Sequence, residues 1–183
     1  MELLSIASGS SGNCYYVGNE ETHLLVDAGV SGKKIETALN EIDRKPSDLN
    51  GILVTHEHID HVKGLGVMAR KHGIPIYTTG GTISEIKKMS SVGTIDDSLF
   101  HEIEPDEPFF INDLSIDASA IWHDAADPVC YSISDGKSKF SIATDMGNFD
   151  DYVVNKLKNS DIMVIEANHD IRMLQAGPYP YYL

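Results

Sequence analysis

Four side chains able to bind a metal fall within six residues of the segment "THEHIDHVKGL": His56, His58, Asp60 and His61. Neutral imidazole and carboxylate are the usual nitrogen and oxygen ligands of zinc and related divalent ions. The spacing is i, i+2, i+4 and i+5. It is not that of a helix-borne H-E-x-x-H pair, because positions i and i+2 of a helix point apart. The continuous apolar run "GILVT" comes first. That places the cluster in the loop where a buried strand ends and the next helix starts. Irregular backbone there can turn His56 and His58 to one point, and Asp60 and His61 to a second point close by. Four ligands on one loop suit two adjacent cations better than one. A single histidine is most often a packed or surface residue, but a group this dense after an apolar strand is poorly explained that way.

A two-metal site needs ligands from elsewhere in the chain. His123 follows the alternating run "LSIDASAIWH", and Asp145 ends "KFSIATD". Each is a ligand type at the C-terminal end of a strand, where sites in α/β folds commonly lie. His23, His72 and His101 have no such context and read as structural or surface residues.

The elements that must position these residues follow from periodicity. "ELLSI", "CYYV" and "THLLVDAG" read as a meander, separated by turn-prone residues. The run "SGSSGN" between the first two is either a structural turn or a loop that lets backbone approach a ligand. Closely flanking strands argue against a tag linker. Ile35, Ala38, Leu39 and Ile42 fall at helical spacing behind a Ser31 cap. "GLGVMARKHG" predicts a helix with Leu65, Met68 and Ala69 inward and Gly73 as its stop. "IPIYTT" reads as a strand and "GTISEIKKM" as a helix. In the second half, Leu114, Ile116, Ala118 and Ala120 alternate onto one strand face. Asp135-Gly136 marks a hairpin turn. "DDYVVNKLKN" is helical, "DIMVIEA" reads as a buried strand, and "HDIRMLQAG" starts another helix. Strands alternating with helices, with no repeat or linker, predict one domain over residues 1–183 with helices packed outside a sheet sandwich.

Composition narrows the class. The 183 residues are 42% hydrophobic, enough for one core, and no run has the length of a membrane span. The N-terminus lacks the basic and apolar regions of a secretory signal. Two cysteines, Cys14 and Cys130, in apolar contexts make no disulfide framework, so a reduced cytoplasmic setting is expected. A net charge of −14 argues against a broad basic face for gripping nucleic acid. It does not exclude nucleic acid, because bound divalent cations supply local positive charge.

"THEHIDHVKGL" resembles the H-x-H-x-D-H signature of the metallo-β-lactamase fold superfamily. "LLVDAG" before it, and "WHDAADPVCYSI" and "SIATDMG" after it, resemble the same superfamily in the same order. A narrower resemblance, carried by "SIASGSSGNCYYV", "EANHDIRML" and "GPYPYYL", is to the YycJ/WalJ (VicX) group of exonucleases. The superfamily resemblance implies an α/β (α+β) fold, a four-layer αβ/βα sandwich with two divalent metal ions at one edge. It implies His56, His58 and His123 on the first metal, Asp60 and His61 on the second, and Asp145 bridging them. Zinc or manganese is the leading identity, with iron a third. Hydroxide shared between metals about 3.5–4 Å apart attacks phosphorus or a carbonyl in such sites. Asp60 would orient or deprotonate that water, and His169 would contact substrate or protonate the leaving group, with Glu166 supporting it. Asp27 would accept a hydrogen bond from a ligand, a plain turn aspartate being the alternative. The narrower resemblance implies DNA phosphodiester hydrolysis.

One departure stands out. The superfamily's last ligand is a histidine near the C-terminus, and this chain has none after His169. The final strand and helices of the second half are also expected to be missing, as in a fragment or a natural short form. A fragment would leave an unpaired sheet edge and an exposed apolar face, which invite association with a second copy. Three readings follow: a dinuclear phosphodiesterase or DNA exonuclease, a thioester or lactone hydrolase of the same fold, and a catalytically incomplete metal-binding or regulatory protein.

Overall fold

The structure is a computed structural model that describes residues 1–166 of the chain. Strands β1 (Glu2–Ala7), β2 (Cys14–Gly18) and β3 (His23–Val26) form the antiparallel meander. Strands β4 (Gly51–Leu53), β5 (Ile76–Thr78) and β6 (Phe100–Glu102) continue the sheet in parallel, giving six strands in chain order. Parallel neighbours need crossovers. Helices α1 (Gly32–Glu41), α2 (Ile59–Val62), α3 (Leu65–His72) and α4 (Gly80–Lys88) lie in those connections. The Ser31 side chain accepts from the Lys34 N–H to cap α1, and Gly73 ends α3 at φ 66°.

The second sheet runs β11 (Ile162–Ile165), β10 (Lys139–Ala143), β9 (Val129–Ser134), β8 (Leu114–Ala120), β7 (Phe109–Ile111). All its pairs are antiparallel except β10 with β11. Helix α5 (Asp151–Leu157) is the crossover between those two.

Side-chain alternation sorts the core into layers. Tyr16, Leu25, Ile52 and Ile76 pack outward against Ile35, Leu39, Leu65, Met68 and Ile86 of the helices. The neighbouring Tyr15, Leu24 and Leu53 face the other way, against Leu114, Ile116, Tyr131 and Phe140 of the second sheet. Cys130 and Ala143 turn outward to Val153 and Leu157 of α5. Helices, sheet, sheet and helix therefore stack in the four layers expected.

Along β8, Leu114, Ile116 and Ala118 are buried, Ala120 at the strand end is exposed, and Ile121 joins the α5 cluster. One local expectation fails. "DIMVIEA" is not a buried strand. β11 pairs only with β10 among the described residues, and Ile162, Met163 and Ile165 are 44%, 40% and 48% exposed. Val164 alone packs into the inter-sheet core. No helix of the described residues is long and apolar enough to cross a membrane.

Candidate metal centre

The loop after β4 leads into α2, so "THEHIDH" leaves the sheet edge with His58 as the residue before the helix. His123 lies just beyond β8 and Asp145 just beyond β10, and both meet this loop. Two groups of ligand-type atoms form, each with all its atoms within 4.8 Å of one another: His56, His58 and His123, and His56, His61 and Asp145. His56 belongs to both.

Hydrogen bonds fix which ring nitrogens are free. The Thr55 hydroxyl lies 3.1 and 2.9 Å from the two oxygens of Asp27 and donates there. It can then only accept from His56 Nδ1, 3.0 Å away. His56 Nε2 is left buried, with a lone pair and no hydrogen-bond partner among the described residues. His58 Nε2 donates to the Asp124 carbonyl at 3.2 Å, and His123 Nδ1 sits 3.2 Å from the Asp124 carboxylate. The lone pairs of His58 Nδ1 and His123 Nε2 consequently face each other at 3.1 Å. Three imidazole lone pairs converging with no proton between them are the donor set of a divalent cation.

The second group is built on Asp27, fully buried beneath the cluster at φ 60°. It accepts the Thr55 N–H at 2.8 Å and the His61 Nδ1–H at 2.8 Å. His61 Nε2 therefore points outward, 3.0 Å from Asp145 Oδ2. Asp145 is held at φ 57°, and its N–H donates to Glu166 Oε2 at 2.7 Å. Asp60 is in neither group, although its Oδ2 lies 3.7 Å from His61 Nε2.

Burial and neighbouring charges act in opposite directions on the rings of the cluster. Burial and then the neighbouring imidazoles push His56 down to about 2. Burial also works to lower His61, but the charges and hydrogen bonds of Asp27 and Asp145 overturn it and raise the ring to about 10. Burial opposes ionisation of Asp145, yet His61 holds its carboxyl well below the usual range. The surroundings thus hold His56 neutral and set the carboxylates of Asp27 and Asp145 against the His61 ring. A mixed set of neutral imidazole and carboxylate suits a divalent ion.

Spacing alone did not point to two of the supporting residues. Thr55 ties Asp27, His56 and His61 together, and Asn13 Nδ2 lies 3.0 Å from His61 Nε2. Neither residue type suggests a site by itself. His169 lies outside the described residues.

Comparison with known proteins agrees with this architecture. Residues 22–177 match the family model described as "Beta-lactamase superfamily domain". The chain is 41% identical over 178 residues to a protein of Streptococcus pneumoniae named exodeoxyribonuclease WalJ, covering 97% of this chain and 66% of that one. It is 38% identical over 176 residues to exodeoxyribonuclease YycJ of Bacillus anthracis, covering 96% and 66%. The chain thus spans just under two thirds of the length of these relatives. Among solved structures, zinc-bound PqqB of Methylobacterium extorquens superposes with a TM-score of 0.72 at 16% identity, over 92% of this chain and 64% of that one. The metallo-β-lactamase fold protein YhfI of Bacillus subtilis superposes at 0.68 and 18% identity, over 88% and 68%. On the family match and the shared fold together, the chain belongs to the β-lactamase superfamily, with the metallo-β-lactamase fold.

Proposed function

We propose that the protein is a metal-dependent phosphodiesterase acting on DNA, with a dinuclear centre. The observation that carries this reading is the pair of overlapping ligand groups sharing His56 at the edge of the sandwich. The names of the two curated relatives favour DNA over a thioester or lactone as substrate. His56, His58 and His123 would hold one cation. Asp60 and His61 would hold the second, with Asp145 shared between them. Zinc or manganese suits this mixed nitrogen and oxygen set. Bound there, the cations supply Lewis acidity and lower the pKa of water.

The chain's own residues do the rest. Asp27 and Thr55 fix the tautomers of His61 and His56, so that each presents Nε2 to the cluster. Asp60 accepts a proton from the attacking water through its partly exposed carboxylate. The water oxygen bonds to phosphorus as the bond to the leaving oxygen breaks, and that oxygen takes a second proton, for which His169 is the proposed donor; the proton held by Asp60 passes to solvent, and His169 takes one up again. The net charge of −14 makes the centre depend on its cations to receive a polyanion. A cytoplasmic location agrees with two buried free thiols.

The test is release of nucleotides from 5′-labelled single- and double-stranded oligonucleotides, beside a thioester substrate, in zinc or manganese and after chelation. Metal-dependent cleavage of DNA alone is the expected result. Thioester cleavage without DNA cleavage would overturn the reading.

A further inference from the structure

Asn13 has no part in the mechanism above, yet its amide is fixed as a donor facing the centre. Its N–H donates to the Asp60 carbonyl at 2.7 Å, and its own carbonyl accepts the Gly29 N–H at 2.8 Å. Its side-chain Oδ1 accepts the Gly9 N–H at 3.0 Å. That bond assigns the amide, with oxygen toward Gly9 and nitrogen toward the cluster. The "SGSSGN" loop can come this close because Gly12 sits at φ +148°, and a Cβ there would lie 2.5 Å from the Gly29 carbonyl oxygen.

His61 Nε2 faces two groups with opposite needs. Asn13 Nδ2 is 3.0 Å away and Asp145 Oδ2 is 3.0 Å away, while Nδ1–H serves Asp27. If Nε2 offers its lone pair to Asn13, it repels the carboxylate. If Nε2 carries a proton, the Asn13 N–H loses its one acceptor among the described residues. A divalent cation satisfies both His61 and Asp145, and leaves the Asn13 N–H aimed at whatever oxygen enters the centre. Asn13 also lines a cavity of about 150 Å³ with Ser8, Tyr15, Thr144 and Glu166. The buried Thr144 hydroxyl there has no hydrogen-bond partner among the described residues.

We infer that Asn13 is a catalytic residue whose Nδ2–H donates to a non-bridging phosphoryl oxygen of the substrate. The inference rests on the phosphodiesterase reading. A donor aimed at developing negative charge is typically worth about 10²–10³ in kcat.

The experiment compares metal-loaded wild type with Asn13→Ala and Asn13→Asp. The aspartate keeps an acceptor for Gly9 N–H and removes the donor, so the loop is preserved. Metal content, the affinity for inorganic phosphate by calorimetry, and kcat and KM on an oligonucleotide are measured together. The expected result is wild-type metal content in both variants, phosphate affinity lower by about 10-fold or more, and kcat lower by about 10²-fold. Phosphate binding and kcat within twofold of wild type in Asn13→Asp would overturn the inference while leaving the phosphodiesterase reading intact. Loss of metal in Asn13→Asp would make Asn13 a support for His61 and overturn it too. Wild type that holds metal but neither binds phosphate nor cleaves DNA would overturn both readings.

Discussion

Asp27 Oδ2 lies 2.8 Å from Nδ1 of His61, and neither side chain has any solvent-exposed surface. A buried carboxylate beneath a ligand fixes the ring's tautomer and raises its basicity. Asp27→Ala is expected to weaken metal binding by about 10–100-fold. It also strands the Thr55 N–H and the His61 ring without their acceptor, at a cost of about 3 kcal/mol or more. Competition against a chelator and a urea titration check both parts. Unchanged metal affinity would show that the aspartate is only a turn residue.

Asp145 is the carboxylate that faces His61 Nε2 from across the cluster. Asp145→Ala should remove at least one metal per chain and reduce DNA hydrolysis to background. Elemental analysis with a nuclease assay on the same preparation decides this. Full activity in that variant would contradict a bridging role.

Gly29 sits where the "SGSSGN" loop and the metal loop touch. A Cβ at Gly29 would stand 1.6 Å from the Asp60 carbonyl oxygen and 2.7 Å from the Asn13 nitrogen, and backbone cannot yield as a flexible side chain can. Gly29→Ala should cost about 3 kcal/mol or more and displace Asp60. A thermal melt and metal content test it, and a variant with wild-type values for both would refute the close contact.

Cys14 and Cys130 are buried free thiols. Burial pushes Cys14 far up and Cys130 to about 11. The thiolate is the reactive form, so neither should react with a thiol reagent in native protein at pH 8. Both should react on denaturation, and mass spectrometry after alkylation counts them.

Metal removal is expected to destabilise the fold as well as stop catalysis. With free metal at about 100 times Kd, binding contributes about 2.7 kcal/mol, equivalent to a Tm change of roughly 5–10 °C. Scanning calorimetry before and after chelation, then after adding metal back, measures it. An unchanged Tm would mean that no cation is held.

The ligand loop was legible in the sequence because its residue types are dense and its preceding strand is continuously apolar. His123 and Asp145 were legible as strand ends, and both reach the cluster. The sharing of His56 between two groups was not, since it depends on ring directions that irregular backbone sets. Asn13 was hidden for another reason. Its partner His61 is 48 residues away, and an asparagine after glycine reads as turn chemistry. Periodicity misjudged β11 because an apolar run of strand length looks the same at a sheet's edge as at its centre. Helices outside a sheet sandwich were readable from strands alternating with helices, and the four layers from the family resemblance; the faces of Tyr15 and Tyr16, or Leu24 and Leu25, were not, because these runs are apolar on both sides.

The proposed function rests on two metal ions acting together on DNA. The most direct test is the number of metal ions per chain in protein equilibrated with manganese or zinc and freed of excess, measured beside cleavage of a labelled oligonucleotide. The expected result is two ions per chain and cleavage that appears only in the loaded protein. One ion or fewer, or DNA cleavage that survives complete chelation, would contradict it.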